Sequence, residues 1–231
     1  MTGTWAPDAA LRGSAMSLEN TFTKIWSEGL WIPPGGDAPR SGCGSSLHYT
    51  ENLRRELPKL IEGFAIRSLF DAPCGDFTWM RAIQFPEQFS YLGADIVEPL
   101  IQQLRARHTE HVFLHLDLTT DPFPAADLLL CRDCLIHLSF ADIAKIFVNC
   151  LNSPIRYLLT NSYLSAPNLD ITTGEFRPLD LLSPPFGFGA PIAAIDDWVQ
   201  GFPPRSMMLW EMKSIELPMR LFIAKHLREF V

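Results

Sequence analysis

The stretch Ser68-Leu-Phe-Asp-Ala-Pro-Cys-Gly-Asp-Phe-Thr-Trp-Met80 decides the fold of this 231-residue chain. Its opening apolar run ends on Asp71, after which the backbone is expected to turn tightly at Gly75 and enter a helix. A strand, a tight turn and a helix in this order are how a nucleotide-binding loop begins. About 20 residues later a second apolar run ends on Asp95, where such folds place the carboxylate that binds a ribose diol.

Strand-like and helix-like patterns alternate around this loop. The predicted strands are 68–71, 91–95, 112–117, 127–131, 157–162, 207–212 and 220–225. Helical patterns surround Phe22 and begin at Glu98 and Ser139. Another follows Thr50, its expected N-cap, and Pro58 is expected to kink or split this helix. This alternation predicts an α/β, Rossmann-like, doubly wound and mostly parallel sheet of about seven strands with helices on both faces.

The chain is long enough for one domain that buries a substantial core without disulfides or metals. We predict a flexible tail over residues 1–17 and a single domain over 18–231. Its parts are N-terminal helices with a Ser-Gly-Cys-Gly-Ser loop (18–66), a cofactor-binding core (67–163), an acceptor-side loop (164–206) and terminal strands (207–231). Long loops on such a sheet are usually functional.

The composition restricts the classes of binding partner and the cellular compartment. Nineteen Lys and Arg residues face 26 Asp and Glu residues, and the net charge of −7 argues against nucleic acid as the main partner. The five scattered cysteines are an odd number, which argues against a disulfide scaffold and fits a reducing compartment. We therefore expect a cytoplasmic protein. No run approaches the ~18 apolar residues of a membrane span, so no membrane span is expected.

The predicted strands place acids at one edge of the sheet, where ligands bind in open α/β folds. These acids are Asp71, Asp95, Asp117 and Asp133. A ligand with a nucleoside and a diol suits them, because Asp95 can accept from two ribose hydroxyls and Asp117 from an adenine amino group. S-adenosyl-L-methionine is such a ligand.

The first loop itself is poorly shaped for a pyrophosphate. A dinucleotide needs several glycines where its phosphates approach the backbone, whereas Pro73 and Phe77 here flank a single glycine. A cofactor without phosphate therefore fits this loop better than NAD.

These motifs resemble those of class I S-adenosylmethionine-dependent methyltransferases, with Asp71-Ala-Pro-Cys-Gly-Asp-Phe77 in place of the family's D-x-G-x-G-x-G loop. The chain is similar to a bacterial subgroup with a D-A-P-C-G-D-F-x-W-M loop. The likeness covers roughly residues 41 to 190 and includes Gly93-Ala-Asp-Ile-Val97, Leu116-Asp-Leu-Thr119, Leu130-Cys-Arg-Asp-Cys-Leu-Ile-His-Leu-Ser139 and Thr173-Gly-Glu-Phe-Arg-Pro-Leu179. The resemblance implies O-methylation of a small-molecule acceptor. Some members of the subgroup are linked to sugars of surface polysaccharides or lipo-oligosaccharide signals.

The resemblance also implies roles for single residues. It places Asp71 and Gly75 under the methionine part of the cofactor, Asp95 on the ribose, and Asp117 with Leu118 around the adenine. The other cofactor-binding candidates of these motifs are Pro73, Cys74, Asp76, Trp79, Ile96 and Arg132. In addition, the loop from Ser41 to Ser45 offers consecutive backbone amides that can form an anion-binding nest for the cofactor carboxylate or a phosphate on the acceptor.

Methyl transfer is an in-line displacement, so the protein supplies alignment, exclusion of water and, for a hydroxyl acceptor, a base. His137 lies four residues after Asp133. We predict His137 as the base and Asp133 as the group that orients it or binds the acceptor. The alternative interpretation is that His137 is a structural histidine that caps a helix.

Polar residues at the start of the long loop suit a hydroxylated acceptor such as a sugar or glycoconjugate. The predicted acceptor ligands are Asn161, Tyr163, Asp170 and Arg177, and the alternative is a solvated loop. No metal site is predicted, because Cys131 and Cys134 have no second cysteine pair and the histidines at 108, 111 and 115 cross a helix-to-strand junction.

Two other function classes stay open. A nucleotide-dependent oxidoreductase would use a similar sheet, although the chain has no Tyr-x-x-x-Lys pair and no three-glycine fingerprint. A non-catalytic protein that binds the cofactor or a partner protein is the third possibility. The sequence leaves the oligomeric state undetermined.

Overall fold

The computed structural model describes residues 17–32 and 38–227. The helices of these ranges are α1 (Leu18–Glu28), α2 (Glu51–Gly63), α3 (Glu98–Arg107), α4 (Phe140–Asn152) and α5 (Met212–His226). The strands are β1 (Ser68–Asp71), β2 (Ser90–Asp95), β3 (Val112–His115), β4 (Leu128–Cys131), β5 (Tyr157–Ser162), β6 (Ala193–Asp196) and β7 (Ser206–Glu211). The predicted tail lies outside the described residues except for Ser17, whose side chain caps α1.

The described strands form one seven-stranded sheet in the order β3-β2-β1-β4-β5-β7-β6. Strands β1 to β5 pair in parallel, whereas β7 runs antiparallel to both of its neighbours, β5 and β6. The prediction of a doubly wound, mostly parallel sheet of about seven strands is confirmed. The inserted β7 departs from the 3-2-1-4-5-6 order of dinucleotide-binding sheets.

Both faces of the sheet are buried, as the near-continuous apolar strands require. In β4, Leu129 and Cys131 pack into the apolar cluster beneath α4 and α5. Leu128 and Leu130 point the other way, into the cluster beneath α2 and α3. Period-two alternation within one fully apolar strand therefore fills two cores, and the prediction of helices on both faces is confirmed.

The predicted last strand is wrong, because residues 220–225 belong to α5. The buried residues of α5 recur at spacings of three and four: Met212, Ile215, Met219, Phe222 and Ile223. Leu221 in the middle of the apolar run is 64% exposed. One face of a helix is buried here, and the short run of apolar residues around Leu221 concealed its helical period.

The seventh strand is instead β6, within the predicted acceptor-side loop. It is only four residues long, its burial pattern has one buried residue, Ile195, and it pairs with β7 from Asp196↔Ser206 to Ala193↔Leu209. A short edge strand with little apolar alternation carries almost no sequence signal. The strand count was therefore predicted correctly, but the membership of the sheet was not.

The helix expected directly after the first loop is absent from the described residues, where a single 3-10 turn, Met80–Ala82, stands in its place. Phe77 has φ +61°, which regular helices exclude, and the Asp76 carboxylate accepts a hydrogen bond from the Thr78 amide. The loop is thus a series of turns, which the departure from the glycine pattern did not reveal.

Helix α2 runs unbroken through Pro58, so the predicted split does not occur. Its buried residues Leu53, Leu57 and Ile61 keep one face in the core. Thr50 precedes the helix as predicted, but its hydroxyl donates to the Ser46 carbonyl at 2.8 Å and caps no amide of the first turn. Core packing of the apolar face outweighs both unfavourable local features.

Candidate functional site

A cleft opens at the carboxyl ends of β1, β2 and β4. The strand order reverses between β1 and β4, and ligands of open α/β sheets bind at this kind of switch point. Its lining includes Asp71, Pro73, Cys74, Gly75, Trp79, Asp95, Ile96, Asp117, Leu118, Arg132, Asp133 and His137, with Phe22, Trp26 and Trp31 on the side of α1. The structure thus brings twelve of the predicted cofactor and catalytic residues to one cavity, while Asp76 lies just beside it.

Asp95 is held at the end of β2 by the backbone of two loops. Its carboxylate accepts from the Gly75 amide at 3.1 Å and from the Val97 amide at 3.0 Å. Burial outweighs these hydrogen bonds and raises the pKa of Asp95 to about 6. Each oxygen retains a further lone pair, so the carboxylate can still accept from ligand hydroxyls.

Asp71 at the end of β1 is also buried, and the Tyr91 hydroxyl donates to its carboxylate at 2.7 Å. Burial raises its pKa to about 7, and the nearby charge of Asp95 acts in the same direction. Two carboxyls of elevated pKa at the base of one cleft are typical of a functional site. They favour a ligand that brings positive charge or hydroxyl donors.

The segment with the predicted nest is fastened to the first loop. The Ser41 hydroxyl accepts from the Asp76 amide at 2.9 Å, and the Ser41 amide donates to the Asp76 carboxylate at 3.2 Å. Gly75 has φ +55°, and a Cβ there would lie 2.6 Å from the Ser41 hydroxyl oxygen. The close approach that requires glycine is therefore made by Ser41, whereas the sequence had suggested the ligand.

The amides of this segment are largely engaged within it. Gly42 donates to Pro39, Ser45 to Gly42 and Ser46 to Cys43, all through backbone hydrogen bonds of 2.9 to 3.1 Å. Those amides already have partners, so an anion would depend on the remaining ones.

Asp117 shapes its own turn after β3. One oxygen of its carboxylate accepts from the Thr119 amide at 2.8 Å and from the Thr119 hydroxyl at 2.7 Å. The Asp117 amide donates to the Asp121 carboxylate at 2.9 Å. Asp117 therefore stabilises its own turn, and the residue also lines the cleft.

Arg132 and Asp133 belong to a buried ion network that the sequence did not reveal. Arg132 binds both oxygens of Asp197 at 3.0 Å, and Arg205 lies 2.9 Å from the same carboxylate. Arg205 also binds both oxygens of Asp133, and Arg132 lies 3.1 Å from it. Asp197 and Arg205 are 65 and 72 residues from their partners, so no local pattern marks them.

Within this network Asp133 is the member that reaches the cleft. Its side chain is 26% exposed, against 0% for Asp197 and 4% for each arginine. The two guanidinium groups hold the pKa of Asp133 well below its usual range, although burial acts against them. An acid that stays ionised and engaged by two arginines is a poor proton acceptor and a rigid part of the wall.

His137 lies in the 3-10 turn Leu135–His137 after β4. Its Nδ1 is 2.9 Å from the Glu175 carbonyl oxygen, which can only accept, so the proton of the neutral ring lies on Nδ1. Burial lowers the pKa of His137 below its usual value. The neutral ring therefore presents the lone pair of Nε2, which has no hydrogen-bond partner within the described ranges.

Arg177 and Asp170, both predicted acceptor ligands, do not line the cleft. The Arg177 guanidinium is buried and donates to the carbonyls of Leu135, Leu138 and Leu169 at 2.7 to 2.9 Å. Asp170 is exposed and accepts from the Phe140 amide at the start of α4. Arg177 thus fixes the turn that carries His137, which the sequence match did not distinguish from ligand binding.

The other two predicted acceptor ligands lie behind the wall of the cleft. The Asn161 side-chain oxygen accepts from the Asp133 amide at 2.9 Å, where Asp133 has φ +54°. The Tyr163 hydroxyl accepts from Arg205 at 3.0 Å. Both residues are buried and support Asp133 and the network, whereas the sequence had placed them against the acceptor.

The three clustered histidines are not brought together at one point. His108 and His111 pack edge-on against Phe77, with ring centroids 5.2 and 5.1 Å apart from it. His115 instead binds the Ile96 carbonyl at 3.0 Å and lies 3.3 Å from Glu19. They serve packing and local hydrogen bonding.

No helix of the described ranges is long and apolar enough to cross a membrane.

Neither a scan against protein-family models nor a search of curated proteins finds a match. Solved structures do match. An S-adenosylmethionine-dependent methyltransferase of Leishmania major aligns with a TM-score of 0.59 at 13% identity over 85% of this chain and 87% of its own. The 1,6-didemethyltoxoflavin N1-methyltransferase of Burkholderia thailandensis was solved with 1,6-didemethyltoxoflavin and S-adenosylhomocysteine bound. It aligns with a TM-score of 0.55 at 13% identity over 84% of this chain and 86% of its own.

The magnesium protoporphyrin IX methyltransferase of Synechocystis PCC 6803, solved with S-adenosylmethionine, aligns with a TM-score of 0.52 at 12% identity over 85% of this chain and 98% of its own. At these identities the likeness establishes a shared fold. The chain therefore has the α/β fold of S-adenosylmethionine-dependent methyltransferases, in agreement with the sequence-based expectation.

Proposed function

We propose that this protein is an S-adenosyl-L-methionine-dependent methyltransferase that methylates an oxygen of a small hydroxylated acceptor. The observation that carries the proposal is the cleft itself, in which the acids at the ends of β1 and β2 converge at the switch point of the sheet. When bound, the cofactor supplies a methyl group on a sulfonium, which leaves as a neutral thioether while the acceptor oxygen keeps the methyl group.

The lining of the cleft fits this cofactor. Asp71, ionised beside a ligand ammonium, would hold the methionine end, and Asp95 would accept from the ribose hydroxyls. Asp117 and Leu118 would surround the adenine. Pro73, Cys74, Trp79, Ile96 and Arg132 complete the lining on that side.

The protein's own contribution to the reaction would be a base and a rigid wall. The lone pair of His137 Nε2 would take the proton of the acceptor hydroxyl, because the Glu175 carbonyl holds the other ring proton on Nδ1. Asp133 would form the rigid wall beside it, since both of its oxygens are held by arginine.

A nucleotide-dependent oxidoreductase is less well supported. The loop between Asp71 and Phe77 has one glycine, and its amide donates to Asp95 and thus has no hydrogen left for a pyrophosphate. The insertion of β7 beside β5 also departs from the dinucleotide-binding strand order. A non-catalytic cofactor-binding protein would bind the cofactor but leave every acceptor unmethylated.

Calorimetry with S-adenosylhomocysteine and NAD tests the proposal. We expect S-adenosylhomocysteine to bind and NAD to bind at least tenfold more weakly. Asp95→Asn should weaken S-adenosylhomocysteine binding by about tenfold, the effect of one charge-assisted hydrogen bond of about 1.5 kcal/mol. Asp196→Asn is the matched control, because Asp196 is exposed on β6. Unchanged affinity in Asp95→Asn, or preferred binding of NAD, would refute the cofactor assignment.

A further inference from the structure

We propose that the acceptor is a planar aromatic compound that carries a hydroxyl group, and that a sugar hydroxyl is not the preferred substrate. This inference rests on the proposed O-methyltransferase function. Three independent features of the cleft support it: aromatic side chains around the base, the engagement of the polar groups that a sugar would need, and the chemistry of the base.

The side of the cleft formed by α1 and the turn after it is aromatic. The Trp31 ring lies 5.0 Å from the His137 ring at an interplanar angle of 31°, and Phe22 lies 6.2 Å from Trp31. Phe176 lies 5.8 Å from His137 but outside the cleft lining. A planar ligand ring that places its hydroxyl at His137 would therefore meet aromatic faces and edges, each pair contributing about 0.5–1.5 kcal/mol beyond area burial.

The polar groups predicted to bind a sugar are bound to other parts of the protein, and of these groups only Asp133 lines the cleft. The Arg177 guanidinium is bound to three backbone carbonyls, and the Tyr163 hydroxyl accepts from Arg205. Asp133 has both oxygens on arginines. A buried hydroxyl that finds no hydrogen-bond partner costs about 1–3 kcal/mol in proteins. A sugar with several hydroxyls would incur this cost repeatedly, whereas an aromatic ring with one hydroxyl needs one partner.

The base matches an aromatic hydroxyl better than an aliphatic one. Burial keeps His137 a weak base, with its pKa below the usual value. A phenolic hydroxyl has a pKa of about 10, whereas an aliphatic hydroxyl is closer to water at about 16. Proton transfer to a weak base from a phenol is therefore the smaller uphill step, and the phenolate is the better stabilised nucleophile.

The test uses the full chain saturated with S-adenosylhomocysteine and measures binding by saturation-transfer NMR and titration. The aromatic probes are 2-naphthol and 6-hydroxyquinoline, and the sugar probes are the methyl glycosides of glucose and rhamnose. We expect both aromatic probes to bind at least tenfold more tightly than either glycoside. Trp31→Leu should weaken 2-naphthol binding two- to tenfold, as the loss of one aromatic pair predicts.

Trp198→Leu is the matched control, because Trp198 is 41% exposed and lies outside the cleft lining. It should leave 2-naphthol binding unchanged. Retained S-adenosylhomocysteine affinity in Trp31→Leu shows that the variant is folded. Tighter binding of a glycoside, or equal binding of 2-naphthol by Trp31→Leu and wild type, would overturn the aromatic acceptor. Failure of S-adenosylhomocysteine to bind wild-type protein would instead refute the proposed function.

Discussion

Binding of the cofactor should strengthen as the pH rises from 5 to 7.5, because two buried carboxyls must ionise to receive it. In the free protein, burial raises the pKa of Asp71 to about 7 and that of Asp95 to about 6. A ligand ammonium beside Asp71 and ribose hydroxyls on Asp95 both stabilise the ionised carboxylate. Binding is therefore coupled to proton release from these two groups.

The size of the effect follows from the two pKa values. If only the ionised forms bind, lowering the pH from 7.5 to 5 weakens affinity about 80-fold through Asp71 and about tenfold more through Asp95. At pH 6 about 0.9 proton is released from Asp71 and about 0.5 from Asp95 for each ligand bound. Both figures are upper limits, because binding to a protonated carboxyl would reduce them.

The assay is calorimetric titration with S-adenosylhomocysteine at several pH values, in pairs of buffers with different ionisation enthalpies. Tyr91→Phe removes the hydroxyl that donates to Asp71 and so should raise the pKa of Asp71 further and move the rise in affinity to higher pH. Tyr157→Phe makes the same substitution in another buried strand residue and should leave the profile in place. Affinity constant within twofold from pH 5 to 7.5, with no proton release, would refute the reasoning.

Three further predictions concern single side chains. Asp197→Asn leaves two buried arginines with one carboxylate and should lower the free energy of unfolding by about 3–5 kcal/mol in urea titration. Glu56→Gln, at an exposed ion pair, should leave the urea midpoint nearly unchanged. Similar shifts of the midpoint for the two variants would contradict this. His137→Gln should lower kcat by about 10²–10⁴ with S-adenosylhomocysteine affinity retained. It should also abolish the fall in kcat that protonation of His137 is expected to cause below pH 6.5. A wild-type rate would exclude His137 as the base. Gly75→Ala should weaken cofactor binding, because the new Cβ would meet the Ser41 hydroxyl at 2.6 Å in a backbone of φ +55°. Gly187→Ala is the control, because it places a Cβ at a similar φ of +62° in open space. Equal affinity in both variants would contradict this prediction.

The proposed cofactor side of the cleft could be predicted because each of its acids follows an apolar strand. A strand that ends on a carboxylate delivers that group to a known edge of the sheet, whatever the helices between do. Asp71 and Asp95 were found in this way, and both line the cleft. The sequence pattern also predicted six of the seven strands to within two residues at either end, the exception being β6.

The acceptor side could not be predicted in this way, because its geometry depends on contacts between distant segments. Arg177 and Tyr163 carry the polar groups that a hydroxylated acceptor needs, yet both are bound to other parts of the protein. Conversely, Asp197 and Arg205 sit in a proline-rich stretch with no periodic pattern, and they hold Asp133 in place. The type of a side chain predicts which ligand groups it can bind, but only the tertiary structure shows whether its polar atoms are available to a ligand.

The ion network couples the two halves of the cleft. Arg132 follows β4, its Nη2 donates to the Gly44 carbonyl at 2.9 Å, and its ring-facing guanidinium lies over Trp79 at 5.5 Å. Ser41, three residues before Gly44, is bound to the first loop through Asp76. The segment that precedes α2 is therefore fixed both to the cofactor loop and to the residues beside the base. Because a charge pair buried this deeply is costly to break, rigid contacts fix the spacing between the proposed cofactor and acceptor sides of the cleft, as an in-line displacement would require.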